Sequence, residues 1–205
     1  MKVLELFAGS RSVGKVAELR GHDVYSSDIT DFGGIDYVCD ILEFDVTTLP
    51  FAPDVIWASP PCTGFSVAAI GHHWTGGKGA YIPKTETARL GIQLLDKTLQ
   101  IIEELKPQFW FIENPRGLMR KMPQLEGVQR HTVTYCQYGD SRMKPTDIWT
   151  NNTTWKPRPM CKNGAPCHEA APRGSRTGTQ GLKNNYERSK IPPALCLEIL
   201  QSCES

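Results

Sequence analysis

The chain predicts an α/β protein built on an open, mostly parallel sheet. Two observations carry this. Short apolar runs alternate with segments of helical periodicity from the N-terminus to about residue 150. Gly9, Asp28, Asp40, Cys62 and Glu113 then fall at the ends of those runs or on the loops leaving them. In a parallel sheet these positions gather at the carboxyl ends of the strands, where ligands bind. The length, 205 residues, suffices for one domain with a sizeable core. Hydrophobic residues make up 40% and charged residues 22%, as in ordinary globular chains. The net charge of +1 excludes a chain-wide polybasic or polyacidic partner surface. No apolar stretch is long enough to cross a bilayer, and the N-terminus runs straight into a strand, so neither a signal peptide nor a membrane segment is expected. Seven irregularly spaced cysteines read as reduced thiols of a cytoplasm.

Residues 3–7 read as the first strand, followed by a turn at Ala8-Gly9-Ser10. A helix is expected over residues 12–20, with Ser12 as its N-cap and Gly21 as its stop. Residues 22–27 form a second strand ending at Asp28, and Tyr37-Val38-Cys39 a third before Asp40. Residues 54–57 lead to the cysteine loop. Across residues 85–105, Leu90, Leu94, Leu95, Thr98, Ile101, Ile102 and Leu105 recur at helical spacing, which predicts a long amphipathic helix. Residues 109–112 form a strand ending at Glu113-Asn114-Pro115, and residues 146–150 another. A final helix starts near Pro193, with prolines at its N-terminal end.

The composition changes after about Thr150. Residues 151–187 are rich in Asn, Thr, Pro and Gly, and their basic residues, Lys156, Arg158, Lys162, Arg173, Arg176 and Lys183, outnumber the acidic Glu169 and Glu187. The expected organisation is a catalytic and cofactor-binding unit over residues 1–150, a small loop-rich insert over 151–187 and a returning C-terminal segment over 188–205.

The most informative side chain is Cys62, in Ala58-Ser59-Pro60-Pro61-Cys62-Thr63-Gly64-Phe65-Ser66. Two prolines restrict φ and the preceding residue, so the turn has few conformations and presents a thiol at a strand tip. A free cysteine is commonly a small buried hydrophobe, but this polar loop suits a nucleophile. Glu113 follows an apolar strand, where desolvation favours proton sharing. A thiol and a carboxylate at neighbouring strand ends suggest a nucleophile with an acid/base partner. The turn Phe7-Ala8-Gly9-Ser10 lets a nucleotide-like ligand approach the backbone. It carries neither the three-glycine dinucleotide fingerprint nor a Gly-Lys-Ser/Thr phosphate loop. Asp28 and Asp40 are either ribose-binding carboxylates or turn caps. Cys161, Cys167 and His168 form a Cys-x5-Cys-His group. Zinc would need a fourth ligand, from Cys136 or His131, and the pairs are wider than usual, so the expectation is no metal.

Taken together these segments resemble the cytosine-5 DNA methyltransferase family. Leu4-Glu5-Leu6-Phe7-Ala8-Gly9-Ser10 is similar to its S-adenosylmethionine motif, and Ser59-Pro60-Pro61-Cys62-x-x-Phe65-Ser66 to its catalytic Pro-Cys motif. Ile112-Glu113-Asn114-Pro115 resembles the Glu-Asn-Val motif. Gln137-Tyr138-Gly139 through Arg142 resembles the motif ending in a catalytic arginine, and Ile191-Pro192-Pro193-Ala194-Leu195 the closing motif. The resemblance implies a Rossmann-like S-adenosylmethionine-dependent methyltransferase fold with helices on both faces of the sheet. It implies Cys62, Glu113 and Arg142 as catalytic residues. Phe7, Ala8, Gly9, Ser10, Asp28, Ile29, Asp40, Ile41 and Pro60 would hold the cofactor, and Pro61, Ser66, Asn114, Arg173 and Arg176 the substrate. The expected partner is cytosine-containing DNA whose target base is flipped out, with the protein acting as a monomer. The insert would be a reduced target-recognition region, and the glycine-bearing residues 67–83 a loop closing over DNA. The size resembles short phage and prophage members, implying a bacterial host cytoplasm.

The chain departs from the family pattern at Arg11 and Ser12 and at Ser189-Lys190, where Gly-Gly and Gly-Asn are usual, and at Pro115, where valine is usual. Two other functions fit the residues alone. One is an amino-methylating enzyme, which needs no thiol. The other is a catalytically silent nucleic-acid-binding or decoy protein.

Overall fold

The structure, a computed structural model, describes residues 1–77, 80–170 and 184–204. In chain order the elements are β1 (Lys2–Leu6), α1 (Ser12–Leu19), β2 (Asp23–Asp28), β3 (Tyr37–Val38), β4 (Val55–Ala58), the short α2 (Ile70–His73), β5 (Trp74–Thr75), β6 (Ile82–Pro83), α3 (Glu86–Leu105), β7 (Phe109–Pro115), β8 (Arg130–Thr134), β9 (Pro145–Thr150), α4 (Asn185–Ser189) and α5 (Pro193–Cys203). Seven strands form one sheet in the order β3-β2-β1-β4-β7-β9-β8, while β5 and β6 form a separate hairpin. β1, β2, β3, β4 and β7 are parallel. β9 runs against both of its neighbours, β7 and β8.

The pleat sorts alternate residues of β1 to opposite faces. Leu4 and Leu6 join Ile56, Ala58 and Ile112 under α3, with Leu94, Leu95 and Ile101. Val3, Val55, Trp57 and Phe111 face the other way, against Val13 and Ala17 of α1 and Leu195, Ile199 and Leu200 of α5. Helices therefore cover both faces, as the resemblance implies. This explains why the central strands read as unbroken apolar runs: both sides are buried.

Thr85 caps α3 by accepting from the Ala88 N–H, and Lys106 ends it at φ 47°. Leu90 departs from the expected stripe. It is 45% exposed, because the buried face runs through Ala88, Gly91, Leu94, Leu95 and Thr98 instead. Ser12 is not the cap of α1 but its first residue. Arg11, at φ 54°, precedes it with no side-chain cap. Glu5 of β1 does that work from across the turn, accepting from Val13 N–H at 3.0 Å and Gly14 N–H at 2.8 Å. Burial pushes its carboxyl up to about 7, against the pull of those two bonds.

β8 has no counterpart among the expected strands. Its Thr132 hydroxyl donates to Asp147 of β9 at 2.7 Å, and Arg120 grips the same carboxylate in a fork, Nε to Oδ2 at 2.9 Å. Asp147 is wholly buried. Arg120→Met strands that charge in the sheet and should cost about 3 kcal/mol, read as a lower urea midpoint. A loss under about 1 kcal/mol would show that Thr132 and Arg130, whose Nε lies 4.0 Å from Asp147 Oδ1, suffice.

Candidate active site

The sheet order reverses direction at β1: β2 lies on one side and β4 on the other. Loops leaving the carboxyl ends of β1 and β4 diverge there and open a crevice. The crevice is a cavity of about 730 Å³, within the range of small-molecule sites. Its walls are the turn Phe7, Ala8, Gly9 and Ser10, the loop Ser59 to Thr63 with Ser66, then Glu113, Pro115, Arg116, Lys144 and Pro145, and finally Arg188, Ser189 and Ile191 from the chain's end.

The β1 turn is bent by three left-handed residues, Phe7 (φ 55°), Gly9 (φ 49°) and Arg11 (φ 54°). Phe7 therefore leaves the strand it was expected to end. Ala8 N–H donates to the Ser27 carbonyl and Gly9 N–H to Asp28 Oδ2, 2.9 Å. A Cβ on Gly9 would meet only the Phe7 carbonyl, at 3.9 Å; what requires glycine is the backbone angle. The hydroxyls of Ser10 and Ser12 pair at 2.7 Å, and Ile191 N–H donates to Ser12 Oγ at 3.1 Å, which ties the returning segment to the turn. Ser12 thus performs a bond from a position where the family pattern has glycine.

The cysteine loop is anchored from three sides. Thr63–Phe65 form one turn of 3-10 helix directly after Cys62. Phe65 is 1% exposed, stacks on Trp74 at 5.9 Å, and lies so close to α3 that a Cβ on Gly91 would approach its ring to 3.0 Å. Trp74 Nε1 donates to the Gly64 carbonyl, 2.6 Å. Asn114 Nδ2 donates to the Pro60 carbonyl, 2.8 Å. Residues 67–77 and 80–83, expected as part of an open flexible loop, are partly folded onto this anchor: α2 and the β5–β6 hairpin bury His73 and Trp74.

Cys62 faces the cavity and is half-buried. Desolvation, then the charge of Glu113, push its thiol above the ordinary value, while Lys144 pulls it back. Glu113 is 5% exposed and accepts from Tyr135 Oη at 3.0 Å. Lys144 lies with its ammonium 4.6 Å over the Tyr135 ring and donates to the Arg188 carbonyl at 2.8 Å. Burial pushes the Lys144 ammonium below its ordinary value, and Glu113 opposes that. Glu113 acts on both the thiol and the ammonium, and these two act on each other, so the three groups are electrostatically linked.

Several expected site residues stand elsewhere. Arg142 is 6% exposed and does not line the cavity. Its Nε donates to Asp140 Oδ1 at 2.8 Å, and a second guanidinium nitrogen bonds Oδ2. The strand β9 starts at Pro145, so the residue projected into the crevice at its head is Lys144. Asn114 is wholly buried, and among the described residues its Oδ1 has no partner. Its amide holds the Pro-Pro-Cys turn, which makes it a positioning residue and not a substrate contact. Asp28 does not line the cavity; its two oxygens receive the Gly9 and Thr30 N–H groups and so shape the turn. Asp40 caps residues Ile41–Glu43 through the Leu42 N–H. Ile41 is core, and Ile29 is 67% exposed and does not line the cavity. Phe7, Ala8, Gly9, Ser10, Pro60, Pro61 and Ser66 do line it. Arg173 and Arg176 lie outside the described residues. Cys161, Cys167 and His168 stand away from the cavity, beside Cys136. Lys144, Tyr135 and Arg188 are the site residues that sequence reasoning missed. The one signal for Lys144 was its place two residues after Arg142, next to the proline that opens β9.

A mostly parallel seven-stranded sheet with a ligand crevice at its switch point defines the class as a Rossmann-like methyltransferase fold. The same fold is seen in the S. pombe Dnmt2 methyltransferase, with a TM-score of 0.51 at 15% identity over 73% of this chain and 50% of that one. The chain thus spans about half of that structure's length. The C-5 cytosine-specific DNA methylase family matches residues 23–130. The probable DNA (cytosine-5)-methyltransferase of Frog virus 3 is 32% identical over 218 residues, 99% of this chain and 100% of that protein. This chain belongs to the C-5 cytosine-specific DNA methylase family, and the family's reaction uses S-adenosylmethionine.

Proposed function

We propose that the protein methylates carbon 5 of a flipped cytosine in DNA, with Cys62 as nucleophile, Glu113 as proton-sharing partner and Lys144 as the cation on the base. Family membership supplies the reaction. The observation that carries the residue roles is the meeting of these three groups in the one cavity that also contains the Phe7–Ser10 turn.

The residues present fit the methyl donor. The turn offers a bent backbone with a glycine open to the cavity, and Ser10, Pro60 and Ile191 close around it. S-adenosylmethionine bound there supplies an electrophilic methyl group. On the base side, the Cys62 thiolate forms a bond to carbon 6, and the carbon 5–carbon 6 π pair moves to carbon 5. Glu113 delivers a proton to the ring nitrogen, so negative charge does not accumulate on the base. The thiol proton lost at the start and the proton gained by the ring balance. Once carbon 5 has taken the methyl group, the ring nitrogen returns its proton to Glu113; solvent water then takes the carbon 5 proton, whose electron pair re-forms the carbon 5–carbon 6 bond and expels the Cys62 thiolate. Lys144, an ammonium in a low-dielectric site, stabilises the base's carbonyl oxygen as charge grows there. The thiol cannot reach a stacked base, so flipping is required. Tyr135 holds Glu113, and Asn114 holds the Cys62 turn.

Bisulfite sequencing of DNA from cells producing the protein tests the reaction. Converted reads protected at cytosine within a short repeated context are expected, and complete conversion at every context overturns it. The cation is tested separately. Lys144→Met should lower kcat about 100-fold with S-adenosylmethionine affinity retained, and Lys144→Arg should restore part of it. Arg142→Lys should keep activity within about tenfold, since its guanidinium is committed to Asp140. The reverse ranking returns the role to Arg142. The seven unpaired cysteines suit a reducing compartment, and among the described residues no helix is long and apolar enough to cross a membrane. A host cytoplasm is proposed on the reduced cysteines, and a monomeric state because one chain supplies the thiol, the carboxylate, the cation and the cofactor turn together.

A further inference from the structure

We infer that Cys136, Cys161, Cys167 and His168 form a structural zinc site that staples the insert to the end of β8. The four ligand atoms lie within 4.8 Å of one another. Cys161 Sγ stands 3.2 Å from Cys167 Sγ and 3.4 Å from His168 Nδ1, and Cys167 Sγ is 3.7 Å from the same nitrogen. Tetrahedral zinc with its usual bond lengths separates two thiolates by about 3.8 Å and a thiolate from an imidazole nitrogen by about 3.6 Å. Cys161, Cys167 and His168 are therefore already near metal-site spacing, with Cys136 Sγ within 4.8 Å of each of them. All seven cysteines are free, and 3.2 Å is far beyond a disulfide bond of about 2.0 Å.

The fourth ligand decides the case. The sequence alone does not show whether Cys136 or His131 reaches the Cys161-Cys167-His168 group. The structure adds Cys136, which is 7% exposed on the 3-10 turn Tyr135–Tyr138 that follows β8. His131, the other candidate, is taken by Gln129 at 2.7 Å and packs edge-on to Trp155. Three thiols and one imidazole are a zinc donor set, with no open position for catalysis. The insert also needs such a staple. Over residues 156–170 only Cys161 is buried, so this stretch has no apolar core of its own, and small loop-rich units commonly use a metal in its place. Cys161 N–H already donates to Thr134 Oγ1 at 2.9 Å, and Glu169 N–H to the Ser141 carbonyl at 2.9 Å. Gln137 Nε2, 3.5 Å from Cys167 Sγ, is placed as an outer donor to a thiolate. Zinc binding releases three thiol protons to solvent. It leaves His168 bound through Nδ1 and gives up the long 3.4 Å contact of Gly164 N–H with Nε2.

The consequence is positional. Cys136 opens the stretch that runs through Asp140 to Lys144, and the zinc would lock the root of the insert against that stretch.

The full chain, produced with zinc in reducing buffer and desalted, should carry one zinc per protein by elemental analysis. Cobalt(II) in its place should show the intense visible bands of a tetrahedral thiolate centre. Cys167→Ser, at an exposed position, should drop the zinc content below about a tenth of stoichiometric, with S-adenosylmethionine binding as the check that the sheet is folded. Cys62→Ser should keep full zinc. Wild-type protein holding less than about a tenth of an equivalent of zinc would overturn the site. So would a Cys161–Cys167 disulfide in the freshly isolated protein, or a Cys167→Ser variant that keeps its metal.

Discussion

Cys62→Ser should abolish methyl transfer, by at least about 1,000-fold in kcat, while leaving S-adenosylmethionine affinity within about twofold. A serine hydroxyl fits the same Pro-Pro turn, held by Asn114 and Phe65, so the fold has no reason to change. The loss is chemical, because a hydroxyl is far less acidic and less nucleophilic than a thiol. The sharper readout is the covalent bond. DNA carrying 5-fluorocytosine traps the adduct, since fluorine cannot leave as a cation when the ring must lose the carbon 5 substituent. Wild-type protein should form a species that survives denaturing electrophoresis, and Cys62→Ser should form none. Full activity in Cys62→Ser would favour an amino-methylating mechanism. Methylation absent from wild-type protein that still binds DNA would favour the silent binding protein.

The same thiol carries a pH signature. Its pKa is raised above the ordinary cysteine value by burial and then by Glu113, and only the thiolate reacts. In the free protein the fraction of thiolate is therefore small at neutral pH and grows as pH rises. Alkylation of the Cys62 peptide by iodoacetamide, followed by mass spectrometry, should accelerate about tenfold per unit from about pH 7 to 9 without levelling. A plateau below about pH 8 would contradict the direction of the shift.

Glu113→Gln should lower kcat by about 100- to 10,000-fold, the range of a positioned acid or base. Glutamine retains an oxygen to accept from Tyr135, so the buried hydrogen bond at 3.0 Å survives and the strand end is preserved. What is lost is the ability to hand a proton to the ring nitrogen. Trapping by 5-fluorocytosine should slow in parallel with methylation, because both need attack at carbon 6. The Cys62 alkylation curve should also move to lower pH, since the variant lacks the negative charge that opposes the thiolate. Activity within about tenfold of wild type, or trapping at the wild-type rate, would remove Glu113 from the proton path.

These outcomes depend on residues of unequal legibility. Cys62 and Glu113 were visible because each ends an apolar run buried on both faces, and a polar group at such a point stands out against its neighbours. Lys144 was not visible. Arg142 and Lys144 sit two apart in one turn, and no pattern of charge says which one an aspartate two residues upstream will claim. Asp28 and Asp40 followed strands as expected, yet each carboxylate turned to backbone N–H groups. Whether such a group meets a ligand or caps a turn depends on local dihedrals. The resemblance assigns Asn114 to the substrate, but its neighbour Glu113 points into the cavity and a strand sends successive side chains to opposite faces, so Asn114 turns to the Pro60 carbonyl instead.

By itself the sequence determined the α/β class, the strand ends that line the crevice, the thiol and its carboxylate, and the family. Those follow from periodicity and from local motifs, which are properties of short stretches of chain. The tertiary structure alone decided which cation joins Cys62, that Glu5 of one strand caps the next helix, and that Ile191 returns to Ser12. It also brought Cys136 to Cys161, Cys167 and His168. Each of those is a contact between segments far apart in the chain or a choice between adjacent side chains. Spacing along the sequence holds no record of distance across the fold, so only the packed sheet and its loops could settle them.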